Sequence, residues 1–327
     1  MAKIAYRDAI AQAIIEEMQR DSTVLLLGED VGRFGGAMAA TRGVYDKFGP
    51  DRVIDTPISE AAIIGAGLGA ALTGLRPIVE IMFIDFTTCC MDQIVNQVAK
   101  VRYMLGGQVK VPLVIRTQGG AGKSYASQHS QSLEVWFAHV PGLQVVMPAT
   151  PADAKGLLKA AIRSDNPVLF IEHKLLYSNK GQVPDETDYV LPIGKADVVR
   201  TGSDATIASY SRQLLMAQQA AEDLAKEGLN CEVINLRTIS PLDIDTILDS
   251  VERTGRLIVV EEGHKSFGVG AEISARIMEQ GFDLLECPVA RVGSLDTPIP
   301  FSPVLEKATI PNPEKIAASV KSMFVGV

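Results

Sequence analysis

The fold of this chain is decided by a turn that runs into a helix, Ile54-Asp55-Thr56-Pro57-Ile58-Ser59-Glu60-Ala61-Ala62-Ile63-Ile64-Gly65-Ala66-Gly67-Leu68-Gly69. Pro57 disfavours the helical conformation at Thr56, and Ser59 is a good helix cap. Glu60 is then the first helical residue, in front of apolar and small residues. Because a helix that is apolar on all sides belongs in a core, the pattern predicts a carboxylate at the edge of a buried interior.

Two explanations of Glu60 stay open from the pattern alone. A first-turn glutamate can simply complement the helix dipole, which is worth about 0.3–1 kcal/mol. It can also take part in chemistry, because burial penalises the charged carboxylate and favours proton sharing. No basic residue neighbours Glu60 in the sequence to neutralise it.

Length and composition indicate a soluble protein of two domains. The chain has 327 residues, 47% of them hydrophobic and 21% charged, and its net charge of -8 makes a broad nucleic-acid surface improbable. The first eight residues carry no signal or transit pattern, and charge or proline interrupts the longest apolar runs, so we expect a cytoplasmic protein without a membrane span. We expect reduced cysteines at Cys89, Cys90, Cys231 and Cys287.

Apolar runs alternate with helical patterns along most of the chain, which predicts parallel sheets in an α/β fold. Strands are predicted at 24–27, 78–83, 111–116, 143–147, 168–172, 205–210, 231–236, 257–261 and 289–292. Helices are predicted at 6–20, from Thr87 or Thr88 to Leu105, from a Thr150 cap to Arg163, and at 213–226, 269–280 and 313–323. A further helix start, of the same type as Thr150, is predicted at Ser240.

The alternation lapses between His173 and Leu191, where polar, Gly and Pro residues indicate a linker. We therefore predict two doubly wound α/β domains. Their expected boundaries are 1–175 for the first domain, 176–192 for the linker and 193–327 for the second domain.

The run Gly65-Ala66-Gly67-Leu68-Gly69-Ala70 fits the permissive dinucleotide fingerprint. That fingerprint must lie in a turn between a strand and a helix, whereas these glycines lie inside a helix. A nicotinamide-dependent oxidoreductase is therefore disfavoured. Since each helical glycine costs about 1 kcal/mol against alanine, we expect compensation from close packing on another helix, within the chain or across a subunit interface.

A polar, glycine-rich loop is predicted from Thr117 to Ser132. Its Gly119–Ser124 run resembles a phosphate-binding loop. That motif requires a glycine at position 117, where this chain has threonine, and an apolar helix after the loop, which is missing here. The same loop carries His129, and a histidine in a polar loop after a strand favours a chemical role. His264, at a strand end, is a weaker candidate, and the scattered histidines do not suggest a metal cluster.

Several motifs in order resemble the β subunit of the thiamine-diphosphate-dependent 2-oxo acid dehydrogenases. They are Asp55-Thr56-Pro57-Ile58-Ser59-Glu60, Gly74-Leu75-Arg76-Pro77, Met91-Asp92-Gln93-Ile94, Gln128-His129-Ser130-Gln131-Ser132, Pro141-Gly142-Leu143, Asp153-Ala154-Lys155-Gly156-Leu157-Leu158 and Asn235-Leu236-Arg237-Thr238-Ile239-Ser240-Pro241-Leu242-Asp243. The resemblance covers essentially the whole chain and is closest to acetoin dehydrogenase, with pyruvate-specific β subunits next. It implies a pyrimidine-binding thiamine-diphosphate fold followed by a transketolase C-terminal-like domain.

The resemblance also implies partners and a cofactor. Thiamine diphosphate would be shared with a separate α subunit in an α2β2 heterotetramer, which passes an acyl group to a lipoyl domain of a dihydrolipoyl acyltransferase core. The magnesium-diphosphate motif, Gly-Asp-Gly followed by Asn, belongs to the α subunit and is not found in this sequence. The chain is therefore expected to bind the cofactor productively only with its partner.

Residue roles follow from the same resemblance. Glu60 matches the glutamate that bonds the aminopyrimidine ring nitrogen and promotes deprotonation of the thiazolium carbon, and the carbanion then attacks the substrate carbonyl. Ile58, Met82 and Phe86 match positions lining the pyrimidine pocket, and Glu29 matches a nearby acid. His129 matches a histidine at the reacting end that assists acyl transfer.

The family also binds a monovalent cation, which here would be a potassium ion near Leu113, Ala161, Ile162 and Asn166. Ser164 stands where many relatives carry aspartate. The main alternatives are a pyruvate or branched-chain 2-oxo acid dehydrogenase β subunit, and a non-catalytic assembly subunit that binds the acyltransferase core.

Overall fold

The computed structural model describes residues 1–324. The chain forms two compact units, the first made of Met1–Gly119 and Trp136–Ile193, and the second of Gly120–Val135 and the chain from Gly194 onward. The loop that carries His129 therefore belongs to the second unit. The residue-level boundaries 1–175, 176–192 and 193–327 stay a prediction.

The first unit contains the regular elements that precede Ile193, except that the first two residues of α5, Glu134 and Val135, belong to the second unit. The strands are β1 (Ala2–Ala5), β2 (Val24–Gly28), β3 (Val53–Asp55), β4 (Arg76–Ile81), β5 (Val114–Gly119), β6 (Gln144–Val146), β7 (Val168–His173) and β8 (Lys180–Val183). The helices are α1 (Tyr6–Arg20), α2 (Val44–Phe48), α3 (Glu60–Leu72), α4 (Val101–Met104), α5 (Glu134–Ala138) and α6 (Pro151–Arg163).

The main sheet of this unit has the order β6-β7-β5-β4-β2-β3, and the neighbouring strands run parallel. Its central strands β5 and β4 are buried along almost their whole length, as expected for a parallel sheet covered on both faces. The short strands β1 and β8 form a separate antiparallel ribbon, which pairs Ala2 with Val183. The predicted linker thus contains a strand of the first unit.

The order of the strands creates a switch point between β2 and β4. The chain leaves β2 towards β3 on one side, and it leaves β4 towards β5 on the other side. Ligands in open α/β sheets bind outside the carboxyl ends of the strands at such a point. Helix α3 connects β3 to β4, so its N-terminus follows directly from the turn after β3.

The second unit is a smaller α/β assembly. Its strands are β9 (Asp197–Arg200), β10 (Ala205–Ser209), β11 (Cys231–Asn235), β12 (Thr238–Ser240), β13 (Leu257–His264) and β14 (Ala290–Ser294). Its helices are α7 (Ser211–Lys226), α8 (Ile244–Thr254), α9 (Val269–Gln280), α10 (Pro303–Thr309) and α11 (Pro313–Ser322). The sheet order is β14-β13-β10-β11-β9, with only the edge strand β9 antiparallel among the described strands of this sheet.

The single long helix predicted from Thr87 or Thr88 to Leu105 is wrong. The segment forms 3-10 turns over Ile84–Cys90, a π-helical stretch over Gln93–Val98 and the short helix α4. The two threonine hydroxyls do not cap a helix; the Thr88 hydroxyl, for example, donates to the carbonyl of Asp85 at 2.8 Å. Hydroxyl bonds to carbonyls three residues earlier fit the tighter 3-10 geometry.

The helix start predicted at Ser240 is also wrong. Ser240 ends strand β12, and α8 begins at Ile244 with Asp243 at its cap. The Asp243 carboxylate accepts the Thr246 hydroxyl at 2.9 Å and the backbone N–H of Ala196 at 3.0 Å. Asp243, which the prediction places in the first helical turn, is therefore the N-cap residue of α8.

Helix α3 has one buried face and one exposed face within this chain. The buried residues are Ile63, Ile64, Gly67 and Ala71. The exposed residues, which recur at helical spacing, are Ala62, Gly65, Ala66, Gly69 and Leu72. The expectation that this helix is enclosed on all sides is therefore wrong for the chain alone, because its outer side is apolar but uncovered.

The three glycines of α3 serve different purposes. A Cβ atom on Gly67 would lie 2.6 Å from Val79 Cγ1, so Gly67 allows the helix to pack against β4. A Cβ atom on Gly65 or Gly69 would meet no atom of the described chain within 4 Å. Packing inside the first unit therefore explains only the middle glycine.

Candidate functional site

Three strand ends of the first unit bring the predicted site residues to the switch point. Glu29 directly follows β2, Glu60 follows β3 across a short turn, and Met82 directly follows β4. The carboxyl ends of neighbouring parallel strands lie at one edge of a sheet. The sheet therefore places these three residues on a common edge.

Glu60 begins α3, as the sequence predicts, with Ser59 in the cap position. The carbonyl of Ser59 accepts the N–H of Ile63 at 2.9 Å, which closes the first helical turn. The Glu60 side chain is half-buried. The carboxylate therefore lies at the positive end of the helix dipole while it stays accessible to a ligand.

Glu29 is electrostatically coupled to Glu60. Burial raises the pKa of the Glu29 carboxyl above its usual value, and the negative charges of Glu60 and Asp30 raise it further. A nearby negative charge favours the protonated form of a carboxyl group. Glu29 and Glu60 are called the acidic pair of this edge below.

The turn after β2 is fixed by Asp55, a residue that sequence reasoning did not single out. The Asp55 carboxylate accepts the backbone N–H of Gly32 at 2.6 Å. A Cβ atom on Gly32 would lie 2.5 Å from Asp55 Oδ2, so only glycine allows this approach. Asp55 ends β3 and is followed by Thr56 and Pro57, so nothing next to it in the sequence links it to the loop after β2.

Apolar residues follow β3 and β4 on the same edge of the sheet. Ile58 is 81% exposed, while Met82 and Phe86 are half-buried. Phe83 has a positive φ of 65°, which is a true outlier for a bulky residue, and its ring meets Phe86 edge to face at 6.2 Å between centroids. Strained backbone at a strand end is typical of functional sites.

The segment Ile84–Cys90 lies close to Glu60. Burial raises the pKa of the Cys90 thiol to about 12, and the charge of Glu60 is the next contribution. The segment with Phe86 and Cys90 also packs against α3. The structure therefore brings together Glu29, Glu60 and the surroundings of Phe86 in the first unit.

His129 lies in the second unit, in the loop between β5 and α5. This loop is held by two carboxylates of the same unit. Glu306 accepts the backbone N–H groups of Gly122 and Ser124 at 2.7 and 3.0 Å, and Glu262 accepts that of Ala121 at 2.6 Å. Sequence reasoning missed both glutamates, because nothing local in the sequence links them to the loop.

Further acids lie near this loop. The Tyr210 hydroxyl donates to Glu134 at 2.7 Å, and burial raises the pKa of the Glu134 carboxyl. Burial also raises the pKa of Glu261 to about 8, against two backbone N–H groups at the start of α9 that favour its charged form. Buried carboxyls therefore accumulate around the base of the His129 loop.

The four residues predicted for a monovalent cation lie together in the first unit. Their carbonyls already accept hydrogen bonds: Leu113 from Val168 at 2.9 Å, Ala161 from Ser164 at 3.2 Å and Ile162 from the Arg76 guanidinium at 3.0 Å. Asn166 accepts from Arg102 at 2.5 Å. A carbonyl has a second lone pair that a cation can use, but the positive charge of Arg76 opposes one.

Two further features are absent from the described part of the chain. Within residues 1–324, no three His, Cys, Asp or Glu side chains are arranged as ligands of a metal ion. Over the same residues, no helix combines the length and apolar character that crossing a membrane requires.

Comparison with protein families matches both parts of the chain. Residues 2–180 match the transketolase pyrimidine binding domain, and residues 194–316 match the transketolase C-terminal domain. These matches define a two-domain protein of the transketolase type. The α/β fold class expected from the sequence is thereby confirmed.

Curated relatives match over almost the full length of the chain. The β subunit of the pyruvate dehydrogenase E1 component of Rhizobium meliloti is 47% identical over 99% of this chain and 70% of its own length. The acetoin:2,6-dichlorophenolindophenol oxidoreductase β subunit of Cupriavidus necator is 48% identical over 99% and 98%. The 2-oxoisovalerate dehydrogenase β subunit of Bacillus subtilis is 47% identical over 99% and 99%. The chain therefore belongs to the family that contains the β subunits of pyruvate, acetoin and branched-chain 2-oxo acid dehydrogenases.

A solved structure agrees on the fold. A split gene transketolase, described as an inactive beta4 tetramer, superposes with a TM-score of 0.81 over 98% of both chains. Its sequence is 22% identical to this one, so the likeness concerns the fold alone.

Proposed function

We propose that this chain is the β subunit of a thiamine-diphosphate-dependent dehydrogenase that acts on acetoin or a 2-oxo acid. In this role it cleaves the substrate and passes the acyl group to a lipoyl domain, together with an α subunit. The observation that carries the proposal is the acidic pair Glu29 and Glu60 at the switch point, since it places two interacting carboxyl groups at the edge where such sheets bind ligands.

The residues at this edge fit the pyrimidine part of the cofactor. Glu60 would hold a proton against a ring nitrogen, and Ile58, Met82 and Phe86 would cover the faces of the ring. The fit rests on two features. The Glu60 carboxyl can form a hydrogen bond with a ring nitrogen, and the Ile58 side chain is exposed, so an aromatic ring would cover it. When bound, thiamine diphosphate supplies the nucleophilic carbon and the electron sink for cleaving a bond next to a carbonyl. Its Mg²⁺ would be held by the α subunit.

His129 would serve the later half of the reaction. As a group that titrates near neutral pH in general, histidine suits the movement of protons during acyl transfer. We expect His129→Ala to slow transfer to a lipoyl acceptor more than it slows dye-linked turnover. Equal losses in both assays would contradict this role.

The uncovered face of α3 supports a close-packed partner chain in an α2β2 assembly. Ala62, Gly65, Ala66 and Gly69 present a surface of small residues that another helix can approach closely. In the same unit, α4 exposes Tyr103 and Met104, which are 88% and 62% accessible. Exposed aromatic and methionine side chains are enriched in protein interfaces.

Acetoin, pyruvate and branched 2-oxo acids are all candidate substrates, because the relatives carry all three names. The dye in the name of the Cupriavidus necator relative indicates a convenient assay for that protein. A purified α subunit should be mixed with this chain, and cofactor-dependent dye reduction measured with each substrate. Turnover that needs both chains supports the proposal, and one substrate should dominate in kcat/KM.

A non-catalytic assembly subunit is the second candidate, because the second unit could instead serve to bind the acyltransferase core. It predicts that Glu60→Gln leaves dye reduction unchanged while the core is still bound. A potassium ion at Leu113, Ala161, Ile162 and Asn166 is proposed on the family resemblance. Thermal stability that rises in potassium over an equal concentration of lithium chloride would support it.

A further inference from the structure

The loop between β5 and α5 has an unusual backbone. Gly120, Gly122, Ser124 and Ala126 have positive φ angles of 86°, 99°, 56° and 60°. Backbone that alternates in this way points successive N–H groups into a concavity that binds anions. The same geometry explains why the sequence Gly119–Ser124 resembles a phosphate-binding loop.

The carboxylate of Glu306, a residue of the same unit, occupies this concavity as its anion. Oε1 of Glu306 accepts the N–H of Gly122 at 2.7 Å, and Oε2 accepts the N–H and the hydroxyl of Ser124 at 3.0 and 3.4 Å. Glu306 lies on α10 and is 3% exposed. A carboxylate that accepts from two backbone N–H groups forms charge-assisted hydrogen bonds, which are stronger than neutral ones.

A second carboxylate holds the beginning of the loop. Oε1 of Glu262 accepts the N–H of Ala121 at 2.6 Å, while Gln213 donates to Oε2 at 3.2 Å. The Ala121 methyl group is buried in a small cluster with Ile299 and Ile310. The loop is therefore held by three of its backbone N–H groups, those of Ala121, Gly122 and Ser124, before it reaches His129.

We propose that Glu306 and Glu262 are positioning residues for His129. The two carboxylates bind the backbone N–H groups of the loop, an arrangement called the clasp below, and so fix the position of the imidazole. The proposal rests on the role of His129 in the proposed function. Neither glutamate needs to contact substrate or cofactor. A mobile loop would present the imidazole in many orientations, and a misplacement of 1 Å can cost about 100-fold in rate.

Amide hydrogen exchange tests the clasp itself and does not depend on the function. Glu306→Gln keeps the shape of the side chain but removes its charge and one of its two acceptor oxygens. In the assembled protein, exchange at Gly122 and Ser124 should become about 10- to 100-fold faster in this variant. The matched control is Glu279→Gln, which makes the same chemical change at an exposed position of α9 and should leave the loop unchanged.

Glu262→Gln provides a second, independent variant if Glu306→Gln proves poorly folded. Exchange at Ala121 should accelerate in it, while the melting temperature stays within a few degrees of the control. Unchanged exchange at Gly122 and Ser124 in Glu306→Gln, together with unchanged exchange at Ala121 in Glu262→Gln, would overturn the proposal.

A double-mutant cycle tests the link to His129. With the α subunit present and oxidised lipoamide as acceptor, Glu306→Gln should lower the kcat of acyl transfer by about 10-fold or more, with a smaller change in KM and in dye-linked turnover. In the His129→Ala background the same substitution should have little further effect, because it acts through His129. A full additional loss in that background would overturn the positioning role.

The experiments distinguish a failure of the role of His129 in acyl transfer from a failure of the positioning role of Glu306. If His129 has no part in transfer, His129→Ala loses dye-linked turnover and transfer equally while the exchange results stay as expected. If the positioning role is wrong, His129→Ala behaves as proposed, but Glu306→Gln either leaves the loop protected or adds its full effect.

Discussion

The charge of Glu60 reaches Glu29 across the end of the sheet, where it adds to the effect of burial in raising the pKa of the Glu29 carboxyl. The two residues follow neighbouring strands of the parallel sheet, one directly after β2 and one in the first turn of α3. Both carboxyl groups thus lie at the edge where open α/β sheets bind ligands.

This coupling predicts the titration of Glu29 in a variant of its neighbour. Glu60→Gln removes a negative charge, so the pKa of Glu29 should fall towards its ordinary value. The pKa can be followed by NMR with ¹³C-labelled glutamate carboxyls. Glu60→Asp is the control, because it keeps the charge and should keep most of the shift; a Glu29 pKa that is the same in both variants would disprove the coupling.

Alanine substitutions at the three glycines of α3 should affect folding at one position and assembly at the other two. Gly67→Ala forces a Cβ atom to within 2.6 Å of Val79 and should destabilise the chain by about 1–3 kcal/mol in urea unfolding. Gly65→Ala and Gly69→Ala have open space and should stabilise the isolated chain by up to about 1 kcal/mol each through helix propensity. The same two substitutions should weaken binding to the α subunit in sedimentation experiments. Unimpaired assembly would remove the argument for a partner on this face.

The buried ion network of the first unit predicts a large loss of stability. Arg116 is 1% exposed and binds Glu80 and Glu172, each at 2.7 Å, while the Tyr177 hydroxyl donates to Glu172 at 2.6 Å. Arg116→Met would leave two buried carboxylates without their cation and should cost about 3–5 kcal/mol. Lys226→Met breaks the exposed ion pair with Asp223 and serves as the control. A loss no larger than that of the control would show that the network contributes little.

Glu261 predicts a dependence of stability on pH. Burial raises the pKa of its carboxyl from 4.5 to about 8. The folded state thus favours the protonated form, so this contribution is complete below pH 4.5 and is lost as the pH rises towards 8. Between pH 5 and 8, the unfolding free energy of the wild type should fall relative to Glu261→Gln by up to about 1.4 kcal/mol per pH unit. Parallel curves for the two proteins would contradict the raised pKa.

The local patterns of the sequence predict much of the fold. Helix α1 lies at Tyr6–Arg20 as expected, and Thr150 caps α6 through reciprocal bonds with Asp153 at 3.0 and 3.1 Å. These features depend on residues a few positions apart, so periodicity and capping chemistry reveal them.

Features that depend on distant residues were not predictable. Gly122 and Glu306 are 184 positions apart, and no local pattern pairs them. The segment after Phe83 has helical composition, but its threonines bond to nearby carbonyls and its backbone changes from 3-10 to π geometry. The predicted roles of Glu60 and His129 came from the family resemblance, whereas the position of Glu60 at a helix start came from the turn chemistry of Pro57 and Ser59.

The central claim is that Glu60 activates thiamine diphosphate from the pyrimidine side. Glu60→Gln should be assembled with the α subunit, confirmed as a complex of the wild-type size, and loaded with the cofactor. Exchange of the hydrogen at the reactive thiazolium carbon for deuterium should then be timed by quenched-flow NMR. We predict that rapid exchange is lost in this variant, while Glu279→Gln exchanges like the wild type. Rapid exchange in the Glu60→Gln complex would contradict the proposed function of this site.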